Sequence, residues 1–251
     1  MINLDIKYIN EGLIEDNKTI FFTITNEGYL DYTRNMLESL KKFNCNNQIL
    51  IVCLDTFSNN YFKDNGYFTY FINLNITNFS HFGTQDFSKC CYIKLYLIEQ
   101  FINMNYNIFY TDGDIFFIKN PLDELTQLKT QDVDMLIQND SIYDNDYSNV
   151  CAGFLYVSSN EITKKYFNIS NIENTHKYNE CMKFNNDQTF INMYIKSYMN
   201  TLLFPLCKFP NGNYFYNFSD KIMDSAVMVH FNWVVGHEKQ ERMKKYGMWV
   251  I

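Results

Sequence analysis

Asp112 and Asp114, in the run Tyr110-Thr-Asp-Gly-Asp-Ile115, are carboxylates separated by one glycine. Side chains two residues apart in extended backbone point to one side, and Gly113 lets the chain turn tightly or approach a ligand closely. Two hard oxygen donors so placed suit Mn²⁺ or Mg²⁺, an ion that would be shared with phosphate oxygens. Taken alone, the tripeptide also reads as an Asp-Gly turn. Its flanks, Ile108-Phe-Tyr110 and Ile115-Phe-Phe-Ile118, put it beside a buried sheet. His230, in Val227-Met-Val-His-Phe-Asn-Trp233, offers an imidazole as a third ligand, and Lys239 can neutralise a departing diphosphate. A histidine in such a run also reads as a hydrogen-bonded core residue. Asp187 and Gln188 follow Asn185 and Asn186 at the start of a helical stretch. They can grip sugar hydroxyls or face the sugar opposite its leaving group, and they also read as a capped, acidic first turn.

The elements that must position these groups alternate. Ile20-Phe-Phe-Thr-Ile24 reads as a strand, Tyr29 to Phe43 as a helix, Gln48 to Leu54 as a strand and Tyr67 to Leu74 as a weaker one. A long helix over Phe87 to Met104 leads to the strand Asn107-Ile-Phe-Tyr-Thr111. This order predicts an α/β fold with a mostly parallel sheet flanked by helices, whose sites lie at the carboxyl ends of strands. Residues 20–24 and 107–111 both end at candidate site residues. Asp134 to Gln138 and Ala152 to Val157 read as further strands and Asp187 to Tyr198 as a helix, with Asn139 to Asn149 a mobile polar loop. We expect one domain over residues 1–251, with a nucleotide-binding half to about residue 120 and an acceptor- and sugar-binding half after it.

Composition narrows the class. A chain of 251 residues, 47% hydrophobic and with only 3 Pro and 9 Gly, is globular. A net charge of −7 disfavours nucleic acid as a partner. Lys239 to Lys245 is a compact basic cluster that reads as a solvated helix face, or as a contact for an anionic acceptor or membrane surface. The 7 cysteines are odd in number and none has Cys-x-x-Cys spacing. Residues 1–7 lack the basic start and apolar run of a signal peptide, and no segment is long and apolar enough to span a membrane. These features lead us to expect a reducing, cytoplasmic setting.

The motifs together resemble the nucleotide-diphospho-sugar transferase family, grouping with the retaining enzymes of glycosyltransferase family seventy-seven. The resemblance rests on Thr25-Asn-Glu-Gly-Tyr29 with Asn35 and Ser39, Tyr110 to Pro121, Ala152-Gly-Phe-Leu-Tyr-Val157, Asn186-Asp-Gln188, Phe209-Pro-Asn-Gly212 and His230 to Lys239. It implies a GT-A, Rossmann-like fold, a divalent metal, a UDP-sugar donor, and a glycan, protein or small-molecule acceptor. By that resemblance Thr23, Thr25, Asn26 and Tyr29 line the nucleotide pocket, Lys94 lies near the donor, and Asp112 with Gly113 faces the ribose and metal. Asp114 and His230 ligate the metal, Gly236 and Lys239 meet the diphosphate, and Asp187 and Gln188 face the sugar. Two departures bear on donor-sugar choice: Gly113, where the family often has a larger side chain, and Cys151-Ala-Gly153, in place of an Asn- or Ser-containing entry.

The resemblance implies retention, by front-face attack in which the departing phosphate takes the acceptor's proton, or through a covalent intermediate on Asp187; we favour the first. An inverting enzyme would need a general base, for which Asp146, Asp187 and Asp220 are candidates. A binding protein that has lost catalysis would lack such an intact Asp112, Asp114 and His230 set. A nucleotidyltransferase would carry a Gly-rich phosphate loop after its first strand, where Gly28 stands alone. Asp114→Ala is expected to abolish turnover in a folded protein.

Overall fold

The computed structural model describes residues 19–80, 83–128, 132–182 and 187–251; residues 1–7, Asn185 and Asn186 lie outside them. Chain order runs β1 (Thr19–Thr25), α1 (Leu30–Lys41), β2 (Ile49–Cys53), α2 (Thr56–Asp64), β3 (Thr69–Phe71), α3 (Gln85–Asn103), β4 (Asn107–Thr111), β5 (Ile115–Phe117) and α4 (Pro121–Leu128). The remainder forms β6 (Met135–Asn139), β7 (Val150–Val157), α5 (Glu161–Tyr166), α6 (Ile172–Met182), α7 (Asp187–Phe190), β8 (Thr201–Phe204), α8 (Gly212–Ile222), β9 (Met228–His230) and α9 (His237–Lys245).

Seven strands make one sheet in the order β3-β2-β1-β4-β7-β6-β8. Neighbours pair in parallel except at β7, which runs against both β4 and β6. Both faces are covered, so the strands read as continuous apolar runs rather than alternating ones. Ile20 and Phe22 of β1 and Leu50 and Val52 of β2 enter the core beneath α3, while Phe21, Ile49 and Ile51 enter the opposite core against α1. A separate ribbon pairs β5 antiparallel with β9 and sets Ile115 opposite His230. That register brings the third candidate ligand to the carboxylates.

Local chemistry explains where elements end. The predicted helix from Tyr29 starts instead with a tight turn, Glu27–Tyr29, because the Asn26 side chain accepts from Tyr29 N at 3.0 Å. The strand expected over residues 67–74 shortens to Thr69–Phe71 at the sheet edge. The expected helix 187–198 breaks into α7, a π turn and a 3₁₀ turn. There Asn192 donates to Gln188 O at 2.9 Å and Val150 O at 3.1 Å, and this bonding competes with the regular helix ladder. Residues 139–149, expected as a mobile loop, are tied down. Asn139 Nδ2 donates to Tyr143 O at 2.9 Å, and Lys196 Nζ donates to Ser148 O at 3.1 Å. No helix among the described residues is long and apolar enough to cross a membrane.

Gly28 lets the turn after β1 press on the next crossover. A Cβ there would lie 2.1 Å from Phe79 N, and the approach stacks Tyr29 on Phe79 with centroids 4.4 Å apart. Gly28→Ala is therefore expected to destabilise the protein by about 1–3 kcal/mol, read as a lower urea midpoint. An unchanged midpoint would contradict this packing.

Candidate active site

The carboxyl ends of β1 and β4 open into a cleft of about 280 Å³. Asp112 directly follows β4, and its backbone N–H donates to Gly153 O of β7 at 2.7 Å. Asp114 Oδ1 lies 3.2 Å from His230 Nε2, and Asp112 Oδ2 lies 3.9 Å from the same nitrogen. The three residues can each offer one ligand atom within 4.8 Å of the others. Gly153 makes the room for this: a Cβ there would lie 2.4 Å from His230 Cε1 and 2.5 Å from Asp112 Oδ2. The opposite ring nitrogen, His230 Nδ1, bonds Gln138 Oε1 at 2.7 Å, while Gln138 Nε2 donates to Phe209 O at 3.2 Å. With Nδ1 so engaged, Nε2 faces the carboxylates, the arrangement a metal-ligating histidine needs. Two carboxylates and an imidazole suit Mn²⁺ or Mg²⁺.

Two lysines complete the electrostatics. Lys239, 7% exposed on the first turn of α9, pairs with Asp114 Oδ2. Burial alone would raise the Asp114 pKa, but the Lys239 ammonium and the His230 imidazole hold it well below the usual carboxylate range. Burial likewise opposes a charged His230, yet Asp114 and then Cys151 hold its pKa well above the ordinary value. Lys94 on α3 lies 2.5 Å from Asp187 Oδ2 and 4.0 Å from Asp112 Oδ1, and donates to Ala152 O at 3.1 Å. Despite its burial, Asp187 and Asp112 push its pKa up. Tyr110 OH donates to Asp112 Oδ1 at 2.5 Å.

Of the residues assigned from the sequence, Thr25, Asn26, Tyr29, Lys94, Asp112, Gly113, Asp114, Asp187, Gln188, His230 and Lys239 all line this cleft. Thr25 shares a hydroxyl contact with Thr33 at 2.8 Å, and Asn26 donates to Asn78 O at 2.9 Å. Burial pushes the Tyr29 phenol up, helped by Asp114 and Asp112. Thr23 is not on the cleft wall; it is wholly buried in β1, and its Oγ1 has no hydrogen-bond partner among the described residues. Gly236 also stands off the wall. At φ +56 it takes a conformation that glycine adopts freely, and its carbonyl accepts from Tyr32 OH at 3.0 Å and Lys239 N at 3.2 Å. It therefore sets where α9, which carries Lys239, begins.

Asp146 and Asp220, the other candidate bases, do not line the cleft. Hydrogen bonds from Ser148 and Ser141 hold the Asp146 pKa at about 2, far too low for a base near neutral pH. Sequence reading missed Gln138, Asp140, Gly153 as the space-maker, and the cleft-facing role of Trp233. In sequence Gly153 is one residue of an apolar strand run, and Gln138 looks like any residue near a strand end. Phe209-Pro-Asn-Gly212 acquires a physical meaning here. Asn211 Nδ2 donates to Asn139 O and Ser141 O at 2.8 Å each, while its Oδ1 accepts from Tyr214 N at 2.9 Å and starts α8.

Known proteins share the sequence pattern and the fold. The sequence model of the nucleotide-diphospho-sugar transferase family matches residues 44–243. A UDP-galactose:fucoside alpha-3-galactosyltransferase of Dictyostelium discoideum is 25% identical over 206 residues, covering 69% of this chain and 30% of its own length. A UDP-D-xylose:L-fucose alpha-1,3-D-xylosyltransferase of Arabidopsis thaliana is 22% identical over 195 residues, covering 68% of this chain and 52% of its own. This chain thus spans less than a third of the first relative and about half of the second. Among solved structures, the glycosyltransferase GlyE of Streptococcus pneumoniae superposes over 94% of this chain and 61% of its own, with a TM-score of 0.60 at 16% identity. That likeness shows a shared GT-A fold.

Replacing Asp114 removes the partner of the buried Lys239 ammonium, so the Asp114→Ala chain is expected to fold with reduced stability. Breaking such a pair costs about 3–5 kcal/mol, so Asp114→Asn should lower the stability of chelator-treated protein by that order at pH 7. Because the folded Asp114 pKa is depressed, this contribution is present above the unfolded value of about 3.9 and is lost as pH falls below it toward the folded pKa. Denaturant titration of wild type and variant from pH 5 down to about pH 2.5 should show a constant difference that shrinks once the pH falls below about 3.9. A difference independent of pH would contradict the assignment.

Proposed function

This chain belongs to the nucleotide-diphospho-sugar transferase family, and from that premise we propose that it moves a sugar from a UDP donor to a hydroxyl of a fucose-containing glycan, with retention of configuration. The observation that carries this reading is the Asp112, Asp114 and His230 cluster at the end of β4, flanked by Lys239 and Lys94. Both relatives are named for transfer from a UDP-sugar to fucose or a fucoside. Both names also specify α products; their donors are α-glycosides, so the named reactions retain configuration.

The residues fit a divalent cation, given the space at Gly153 and the His230 Nδ1 held by Gln138. Held by Asp112, Asp114 and His230, the ion would supply positive charge against the diphosphate as the glycosidic bond breaks. Lys239 adds a second positive charge beside Asp114, placed for the developing negative charge on UDP. Tyr110 orients Asp112 through its hydroxyl. Asp187 and Gln188 border the region where the sugar would lie. Lys94 lies 2.5 Å from Asp187 Oδ2, and this pairing weakens the carboxylate as a nucleophile. It supports front-face attack, in which a departing phosphate oxygen takes the acceptor's proton while the acceptor oxygen forms the new bond on the same face.

We expect UDP-galactose or UDP-xylose to be turned over faster than GDP-sugars, with transfer to methyl α-L-fucopyranoside giving an α-linked product by NMR. Asp112 is the cleaner residue to alter, since its nearest cationic neighbours are 3.9 and 4.0 Å away. Asp112→Asn should cut turnover about 100-fold or more while the protein still unfolds cooperatively. A β-linked product would remove the retaining mechanism, and turnover of GDP-sugars alone would remove the donor assignment.

A further inference from the structure

Asp140 follows β6, buried, and accepts hydrogen bonds from four side chains. Asn149 Nδ2 at 3.1 Å and Gln188 Nε2 at 3.0 Å bond its Oδ2, while Asn232 Nδ2 and Trp233 Nε1, each at 3.0 Å, bond its Oδ1. A carboxylate offers about four acceptor sites, so these donors use its capacity. Asp140 is thereby a peg rather than a ligand for substrate. It holds Gln188, next to Asp187, on one side and the indole of Trp233 on the other.

Trp233 lines the cleft yet is 58% exposed. Its backbone sits at φ +65, a region that costs a bulky residue free energy and persists only when its surroundings enforce it. They do so here. Gly212 N donates to Asn232 Oδ1 at 2.6 Å, Tyr216 OH donates to Asn232 O at 3.3 Å, and a Cβ on Gly212 would lie 2.2 Å from Asn232 O. A large, water-exposed ring on a clamped, unfavourable backbone gains little for the core. The neighbouring Val235, also exposed, extends the apolar surface along the cleft.

We infer that the Trp233 indole is the platform on which a sugar ring of the acceptor stacks, and that Asp140 is the positioning residue that aims it. The inference rests on the transferase reading above. A pyranose presents a face of C–H bonds whose partial positive charge matches the negative face of an indole, and a rigid ring gives contact area at low entropic cost. The methyl group of a 6-deoxy sugar such as fucose enlarges that apolar face. Through Asp140, Trp233 belongs to the Gln188 and Asp187 end of the cleft rather than to the Tyr29 and Phe79 stack. An acceptor hydroxyl must meet the donor's anomeric carbon at that end.

The chain has 2 tryptophans, so Trp249→Phe leaves Trp233 as the sole indole emitter. Methyl α-L-fucopyranoside titrated into that variant, with UDP and Mg²⁺ present, should change the emission saturably. In the otherwise native chain, Trp233→Ala should raise the acceptor KM about five- to tenfold with the UDP-induced rise in melting temperature unchanged. Trp233→Phe should recover most of the loss, and Asp140→Asn should raise KM while shifting the Trp233 emission even without sugar. If UDP raises the melting temperature but no glycoside alters Trp233 emission, the platform is overturned and the transferase reading stands. An emission response without any UDP effect supports the platform and removes the UDP-donor reading. Loss of the UDP effect in Trp233→Ala would place Trp233 in the donor site and overturn the inference.

Discussion

A carboxylate buried between two cationic groups is the constraint around which this structure is arranged. Asp114 is 5% exposed, with His230 on one oxygen and Lys239 on the other. Desolvation alone would keep such a group neutral, so its charge depends on both partners being held in place. Those partners come from distant parts of the chain. His230 arrives through the β5–β9 ribbon, and Lys239 through α9, whose start is set by Gly236. The last third of the sequence therefore folds over the end of β4 rather than away from it.

The same arrangement carries a cost that bears on function. Asp114 faces His230 Nε2 through one oxygen and Lys239 through the other, and both neighbours hold its pKa below the usual carboxylate range. A divalent cation held by Asp112, Asp114 and His230 would supply positive charge there, and a diphosphate would offer Lys239 a second anion. Lys94 and Asp187 form a second buried pair in the cleft, with Lys94 Nζ 4.0 Å from Asp112 Oδ1. Asp140 in turn pegs Asn149, Gln188, Asn232 and Trp233.

Much of this was legible in the sequence where one residue's neighbours along the chain determine its environment. β1, β2 and β4 announce themselves as continuous apolar runs because both faces of the sheet are covered, and Asp112-Gly-Asp114 stands out because its flanks are so apolar. What could not be read depends on contacts between distant segments. Gln138 is an ordinary polar residue at the end of a strand until β9 delivers His230 Nδ1 to it. Asp140 sits in an acidic, polar stretch that reads as solvent-facing, and only the meeting of residues 149, 188, 232 and 233 buries it. The π turn after α7 arises from Asn192 bonding across to β7, which helical periodicity does not register. Thr23 illustrates the reverse case. Motif resemblance assigns it to the nucleotide pocket, whereas β1 buries it wholly.

The proposed reaction requires that the Asp112, Asp114 and His230 cluster hold the metal that meets the nucleotide diphosphate. Anomalous diffraction at the manganese edge, from crystals grown with UDP and Mn²⁺, addresses this directly. The account predicts an anomalous peak enclosed by Asp112, Asp114 and His230 and in contact with diphosphate oxygens. UDP bound in the cleft with no peak at those three residues, or with manganese elsewhere, would contradict it.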